Sequence, residues 1–305
     1  MPTEVPIAWV NGQQIPLSHA AVPAWDLGVV AGATISEMAR TYRQTPFRLD
    51  RHLDRLFNSC QALSFPISWS NDELADAARE LVRVNSESLA DTDDLGIVWF
   101  TTAGVNPSYA APDIDSAPTT CVHTFRISFD RWQNDIRDGV ALAIPAQHQL
   151  PPESFPTAHK TRNRLHWWLA DQNANKQRPG ARALLTTHDG RITETSAACF
   201  FAVRDGTVIT PKDGVLQSTT RDVVREICDR RGIRFRLADL NRNDVDACDE
   251  IFLSSTPCGL LPVGSVGNHT FPARNGPILT QIHAEWTRVT GVDTFEQILT
   301  ADSHQ

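Results

Sequence analysis

The chain has 305 residues, of which 41% are hydrophobic and 21% are charged, a composition typical of a folded globular protein. This length is at the upper edge of what one hydrophobic core supports, so it predicts two domains. The net charge of -8 argues against a nucleic-acid partner, and no uncharged apolar run is long enough to span a membrane.

The six cysteines are widely spaced and form no C-x-x-C pair. Neither a zinc site nor a disulfide framework is therefore predicted, and no metal is expected. The opening segment MPTEVPIAWVNGQQ lacks the basic start and the long apolar stretch of a signal peptide. Together these features predict a protein of the reducing cytoplasm.

The first half of the chain predicts an α+β domain over residues 1–128. VPIAWV and QQIPL flank an Asn-Gly pair, which is typical of a β-hairpin. Apolar residues at helical spacing predict one helix in RLDRHLDRLFNSCQAL and another in NDELADAARELVRV. LGIVWFTTAG and TTCVHTFRISF have the composition of strands. The polar segment that follows predicts an interdomain linker over residues 129–139.

The second half predicts a larger domain over residues 140–305. VALAIPA predicts a strand, and a helix is predicted from about Asn163. ARALLTT, RITETSAACFFAV and TVITP are separated by Asp-Gly pairs, which indicates an antiparallel meander. STTRDVVREICDRRG and PILTQIHAEWTRVTG predict helices, and EIFLSST predicts a buried strand.

Lysine is rare in this chain and occurs only at positions 160, 176 and 212. Lys176 and Lys212 lie in turn-like sequence, whereas Lys160 precedes a helix rich in aromatic and apolar residues. A lysine in a low-dielectric place loses its proton and becomes a nucleophile toward aldehydes. The alternative for Lys160 is a surface lysine that pairs with a carboxylate.

Other side chains are candidates for binding charged groups. The hydroxyl residues 218–220 begin a predicted helix, where free N–H groups favour an anion, and Thr256 at a strand end is a further donor. Glu194 lies in a predicted strand among small residues, so a cation such as a protonated pyridine nitrogen would have to pair with it. Arg55 on the first helix could reach an anion. The alternatives are an ordinary helix cap, an edge-strand glutamate and a solvated helix face.

The ordered set of motifs is more specific than any of its members. It comprises Asp26-Leu27-Gly28 with Gly32 and Glu37, RLDRHLDRL at 48–56, Lys160, ITETS at 192–196, LQSTTR at 216–221 and SST at 254–256. This set resembles the class IV family of pyridoxal-phosphate enzymes (fold type IV), which contains branched-chain and D-amino acid aminotransferases and aminodeoxychorismate lyase. The resemblance implies a two-domain α+β fold, with a small α/β domain and a larger β-rich domain with flanking helices.

The resemblance also implies roles for individual residues. Lys160 is the residue expected to hold pyridoxal 5'-phosphate as a Schiff base and to move the substrate's α-proton. Glu194 is expected to pair with the protonated pyridine nitrogen, and Leu216 to pack against the ring. The residues expected to bind the phosphate group are Arg55, Thr219, Thr220 and Thr256.

The substrate side departs from the family pattern. Ser36 stands where an aromatic residue is usual, Leu165 where a tyrosine is common, and residues 101–104 lack the arginine that grips the substrate's carboxylate in D-amino acid aminotransferases. The candidate substrate residues are Ser36, Arg40, Ala103 and Arg164.

The resemblance leaves more than one activity open. Segment 32–37 is closer to the branched-chain form, which implies an aminotransferase that moves an amino group between a branched-chain-like amino acid and a 2-oxo acid. Lys160 to Leu165 fits K-x-x-N-R-L of aminodeoxychorismate lyases, which release pyruvate and 4-aminobenzoate. A fold that has lost catalysis is a third alternative. The family also implies a homodimer.

Overall fold

The computed structural model describes residues 5–111 and 117–302. The chain divides into two units, and the first consists of the residues up to Ile127 together with His159–Asn163. The second consists of Ser128–Ala158 and the chain from Arg164 onward. Strands and helices occur in both units, as the predicted α+β class requires. Among the described residues, no helix has both the length and the apolar character needed to cross a membrane.

An antiparallel sheet of six strands forms the first unit, in the order β2-β1-β6-β5-β3-β4. Its strands are β1 (Ile7–Val10), β2 (Gln13–Pro16), β3 (Thr34–Tyr42), β4 (Thr45–Pro46), β5 (Leu95–Thr102) and β6 (Thr120–Arg126). Its helices are α1 (Leu27–Val30), α2 (Leu49–Ala62) and α3 (Asn71–Asn85), and Leu17–His19 is a 3-10 turn.

One face of this sheet is covered by α2 and α3. Leu53, Leu56 and Cys60 recur at helical spacing on α2 and are buried together with Ile35 and Trp99 of the sheet. Because successive residues of a strand point to opposite faces, the residues between these core positions point away from the helices. Of the functional candidates in the first unit, Ser36 and Arg40 on β3 lie on this second face, whereas Arg55 lies on α2.

A larger sheet forms the second unit, in the order β12-β11-β10-β13-β14-β7-β8-β9, with β15 paired to β14. Its strands are β7 (Val140–Ala143), β8 (Arg182–Thr186), β9 (Ile192–Thr195), β10 (Cys199–Arg204), β11 (Thr207–Thr210), β12 (Arg234–Leu237), β13 (Glu250–Ser255), β14 (Gly259–Val266) and β15 (His269–Thr270). Its helices are α4 (Gln133–Asp138), α5 (Leu165–Gln177), α6 (Thr219–Arg231), α7 (Arg242–Asp246), α8 (Pro277–Thr290) and α9 (Thr294–Leu299), with 3-10 turns at Phe129–Trp132 and Ala273–Asn275.

Two segments differ from the sequence prediction. Segment 129–139, predicted as a linker, folds into a 3-10 turn and α4, because the buried Ile136 anchors it to the second unit. RITETSAACFFAV, predicted as one strand, is interrupted between β9 and β10 by a turn in which Thr195 N donates to Ala198 O over 3.1 Å. Small residues at 196–198 allow this turn, and no local signal distinguishes it from a continuous strand.

Candidate active site

The backbone of Lys160 is held against one end of β3. Ser36 N donates to Lys160 O over 2.8 Å, and Arg162 N donates to Thr34 O over 3.0 Å. Thr161 forms an antiparallel bridge with Ile35 between these two hydrogen bonds. A segment far along the chain therefore places the lysine at the start of a strand in the first unit.

Near the lysine, the first unit contains a buried cluster of three charged or titratable residues. Arg55 donates to Glu37 through both Nε and Nη2, each over 2.6 Å, and His52 Nδ1 lies 3.1 Å from Glu37 Oε1. Burial raises the pKa of Glu37, but the charge of Arg55 and the hydrogen bonds from His52 and Arg55 outweigh it and lower the pKa below its usual value. Glu37 is therefore an ionised carboxylate in the interior.

His52 is neutral in this cluster. Burial lowers the pKa of His52, and the positive charges of Arg55 and Lys160 lower it further, against the opposing effect of Glu37. The charge of Lys160 thus acts on a histidine that is itself bound to the buried carboxylate. This neighbourhood places an unprotonated imidazole close to the one lysine that the sequence singled out.

The predicted substrate residues of the first unit separate into two groups. Ser36 is paired with Phe100 on β5 and is buried beside the lysine backbone, and Ala103 N donates to Ala33 O over 3.1 Å at the same end of the sheet. Arg40 lies at the opposite end of β3, where its Nη2 forms a buried ion pair of 2.8 Å with Asp94.

The environment of Arg40 corrects the prediction made for it. Its guanidinium carbon lies 4.0 Å from the centre of the Tyr42 ring, and its Nε donates to Thr41 O over 2.8 Å. A guanidinium that is buried against a carboxylate and a ring stabilises the sheet and has no exposed edge for a substrate. We therefore do not include Arg40 in the proposed site.

In the second unit, Glu194 and Leu216 lie together. Glu194 is buried on β9, and its Oε1 accepts a hydrogen bond of 3.0 Å from Leu216 N. A buried carboxylate held by a backbone N–H is a suitable acceptor for a protonated ring nitrogen.

Arg164, a predicted substrate residue, also belongs to this part of the second unit. Its Nη2 donates to Ser196 O, and burial lowers its pKa while the carboxylates of Glu194 and Asp171 raise it. Its guanidinium carbon lies 5.9 Å from the centre of the Trp167 ring. These contacts place Arg164 near the buried glutamate, and a contact with substrate stays a prediction.

Hydroxyl groups converge at the first turn of α6. Ser218 Oγ lies 2.9 Å from Thr220 Oγ1, and Ser254 Oγ on β13 donates to the same Thr220 oxygen over 2.9 Å. Ser218 also caps the helix by accepting from Arg221 N. Thr256 follows directly after β13 and is partly buried. Hydroxyls at a helix N-terminus form an arrangement that suits a phosphate group.

The chain is similar to known proteins over most of its length. The family model of class IV amino-transferases matches residues 34–266, which include the lysine segment, β9 and the start of α6. The chain belongs to the class IV aminotransferases. The enzyme is therefore an aminotransferase that depends on pyridoxal phosphate and acts on small amino acids and 2-oxo acids.

Individual relatives span nearly the whole chain. The branched-chain-amino-acid aminotransferase of Escherichia coli K12 is 27% identical over 283 residues, which cover 90% of this chain and 89% of that protein. The D-alanine aminotransferase of Staphylococcus haemolyticus is 26% identical over 281 residues, which cover 90% of this chain and 94% of that protein. The crystal structure of the E. coli branched-chain enzyme matches with a TM-score of 0.84 at 25% identity and covers 96% of both chains. These relatives confirm fold type IV and do not favour a lyase.

The residues present fit the cofactor that the family requires. The second unit offers hydroxyl and backbone donors at the start of α6 for a phosphate, and a buried glutamate for a protonated ring nitrogen. The first unit offers an amine, Lys160, whose backbone is held by hydrogen bonds. An anion site, an acidic acceptor and an amine are the donor set that a phosphorylated pyridine aldehyde needs.

Sequence reasoning missed several residues that shape the two units. Glu37 was a motif marker without a function, and the structure shows it as the carboxylate that binds Arg55 and His52. His52 and Arg55 lie three residues apart on α2, a spacing that places them on one helix face. That spacing was the available signal. The hydrogen bond from Ser254 to Thr220 had no signal, because it joins a strand and a helix that lie far apart along the chain.

Proposed function

We propose that this enzyme transfers the amino group of a branched-chain amino acid to a 2-oxo acid. The observation that carries the proposal is the hydrogen bond from Ser36 N to Lys160 O, which holds the lysine at one end of a sheet face. The same face also bears Met38, Val98 and Phe100. This apolar face suits an aliphatic side chain. The branched-chain relatives named above support the same substrate class.

Each residue of the site has a proposed task. Lys160 would hold the cofactor through its aldehyde group, and its Nζ, as a free amine, would take up the proton from the substrate's α-carbon. Glu194 would keep a proton on the pyridine nitrogen, and Leu216 would pack against the ring. In the second unit, the proposed phosphate donors are the hydroxyl and backbone N–H groups of Thr219, Thr220 and Thr256. In the first unit, Arg55 is the proposed phosphate-binding arginine. When bound, pyridoxal phosphate supplies the carbonyl group that accepts amines and a ring that withdraws electrons.

Two residues of the first unit bear on these tasks. Burial and the positive charges of Arg55 and Lys160 lower the pKa of His52, so the imidazole near the lysine is neutral. Arg55 is oriented by two hydrogen bonds to Glu37, which fixes the plane of its guanidinium. We propose that the same enzyme is a cytoplasmic homodimer, as its family resemblance implies.

Absorption spectra of the purified holoenzyme test this function. We expect branched-chain amino acids to convert the lysine-bound cofactor to its amine form, and a 2-oxo acid to restore the original spectrum. L and D enantiomers are assayed separately. No conversion with any amino acid would contradict the proposal, and release of pyruvate from aminodeoxychorismate without a 2-oxo acid would support the lyase instead.

A further inference from the structure

Arg162 lies two residues after the proposed catalytic lysine, in the segment that is hydrogen-bonded to β3. Its backbone N donates to Thr34 O over 3.0 Å, and its guanidinium carbon lies 4.4 Å from the centre of the Phe100 ring. Phe100 is paired with Ser36 on one side and with Cys121 on the other. Directly paired residues point to the same face of a sheet, so the guanidinium lies on the face that carries Ser36.

The Arg162 guanidinium lies near a thiol and an imidazole of β6. Its positive charge acts on the Cys121 thiol and the His123 imidazole, both of which follow along β6 on this face. Within residues 5–111 and 117–302, no carboxylate forms an ion pair with Arg162. The residue also remains exposed to solvent, so an incoming molecule can reach it.

Other arginines of the first unit differ from Arg162 in this respect. Arg40 is paired with the buried Asp94, and Arg55 is paired with the buried Glu37. Arg162 is instead held in place by an aromatic ring, which orients the guanidinium plane without neutralising it. A guanidinium of this kind binds a carboxylate through two parallel hydrogen bonds.

We propose that Arg162 binds the α-carboxylate of the amino acid substrate, an inference that rests on the proposed function. The sequence lacks an arginine in residues 101–104, where D-amino acid aminotransferases carry their carboxylate-binding arginine. Arg162 supplies that charge from the lysine segment, next to Ser36. A substrate held there has its carboxylate on Arg162 and its aliphatic side chain free to contact the apolar residues of the same face.

Two variants and two probes test this role in the holoenzyme. Arg162→Leu removes the charge and keeps an apolar contact with Phe100, and Arg162→Lys keeps the charge without the planar fork. Arg51→Leu on the exposed face of α2 is the matched control. The probes are 4-methylvalerate, which has a carboxylate, and the neutral 4-methylpentanamide of the same shape. Binding is measured from the cofactor's absorbance.

We expect Arg162→Leu to weaken 4-methylvalerate binding by about tenfold to hundredfold and to leave the amide unchanged. The affinity of Arg162→Lys for 4-methylvalerate should lie between those of Arg162→Leu and the wild type, and the affinity of Arg51→Leu should match that of the wild type. The rate of the amino acid half-reaction should fall in parallel with 4-methylvalerate affinity. An equal loss for both probes, or no loss for either, would overturn the proposal.

Two further outcomes separate this inference from its alternatives. If Arg162→Leu shifts the subunit equilibrium and leaves probe binding unchanged, the residue pairs with a second copy of the chain and the proposal is wrong. If the wild type converts no amino acid, the proposed function fails. If, in that case, the wild type still binds 4-methylvalerate and Arg162→Leu binds it more weakly, the anion-binding role of Arg162 stands.

Discussion

Glu37 binds two neighbours in the interior of the first unit. It accepts two hydrogen bonds from Arg55 and one from His52, and its side chain has no exposed surface. A buried carboxylate is stable only while its partners remain, because removing one partner leaves an uncompensated charge. At the scale of single residues, this cluster fixes the orientation of the arginine that we propose for phosphate binding.

Replacement of Glu37 tests this cluster. Glu37→Gln keeps the volume but removes the charge, so Arg55 would lose its ion pair, and we expect a loss of about 3 kcal/mol in the free energy of unfolding. Urea unfolding at neutral pH measures this loss. Glu80→Gln, in an exposed pair with Arg83, is the control and should change stability little. A Glu37→Gln protein as stable as the wild type would show that the cluster contributes nothing.

The stabilisation by Glu37 should depend on pH. Its pKa is lower in the folded chain than in the unfolded chain, where a glutamate has a pKa of about 4.3. The stabilising contribution is therefore complete above that value and decreases as the pH falls below it toward the folded-state pKa. The difference in stability between wild type and Glu37→Gln should shrink when unfolding is measured at successively lower pH. If the difference in stability stays the same at every pH, the effect comes from the shape of the side chain and not from its charge.

Reduction with borohydride tests the identity of the lysine that binds the cofactor. The reagent reduces the carbon–nitrogen double bond between cofactor and lysine, so the native holoenzyme should carry one tagged peptide that contains Lys160. Lys160→Ala should lose the tag, whereas Lys176→Ala and Lys212→Ala, the other lysines of the chain, should keep it. Mass spectrometry locates the tag. A tag on either control lysine would assign the site to that residue.

At the scale of elements, the edge of β3 determines where the lysine lies. β4 pairs with β3 only at Thr41 and Tyr42, which leaves the edge of β3 near its start without a strand of the sheet. Thr161 forms its antiparallel bridge with Ile35 at that edge. The sequence predicts the helices well, because apolar spacing reports the buried face of each helix. It does not predict this bridge, because periodicity carries no information about which strand edge a distant loop will meet.

The start of β7 offers a test at the same scale. Gly139 has φ +78, and a Cβ built there lies 2.4 Å from Gly264 N on the paired strand β14. Gly190 has a similar φ of +86, but a Cβ built there has no atom within 4 Å apart from its chain neighbours. Gly139→Ala should therefore destabilise the protein by about 2 kcal/mol more than Gly190→Ala. Thermal and urea unfolding measure the difference. Equal losses would mean that backbone strain alone, and not the contact with β14, sets the cost.

At the scale of the whole molecule, the ordered motifs predicted the family and its fold, because they are spread along most of the chain. The tertiary partners of single side chains were less predictable. Arg40 was expected to bind substrate, but a residue 54 positions away pairs with it. Local sequence reports propensity and burial, whereas the partner of a charged side chain depends on which strands become neighbours.

The homodimer that we propose should bury apolar residues that one chain leaves exposed. On α5, Leu165, Trp168 and Leu169 are 63%, 59% and 41% exposed and lie on one helix face, whereas the neighbouring Trp167 is buried. Trp168→Asp should raise the dissociation constant of the dimer about 30-fold or more, because a tryptophan at an interface centre is a dominant contact. Sedimentation velocity over a range of concentrations measures it. Leu237→Asp, 45% exposed on β12, is the control and should remain dimeric. A Trp168→Asp protein that stays as dimeric as the wild type would place the interface elsewhere.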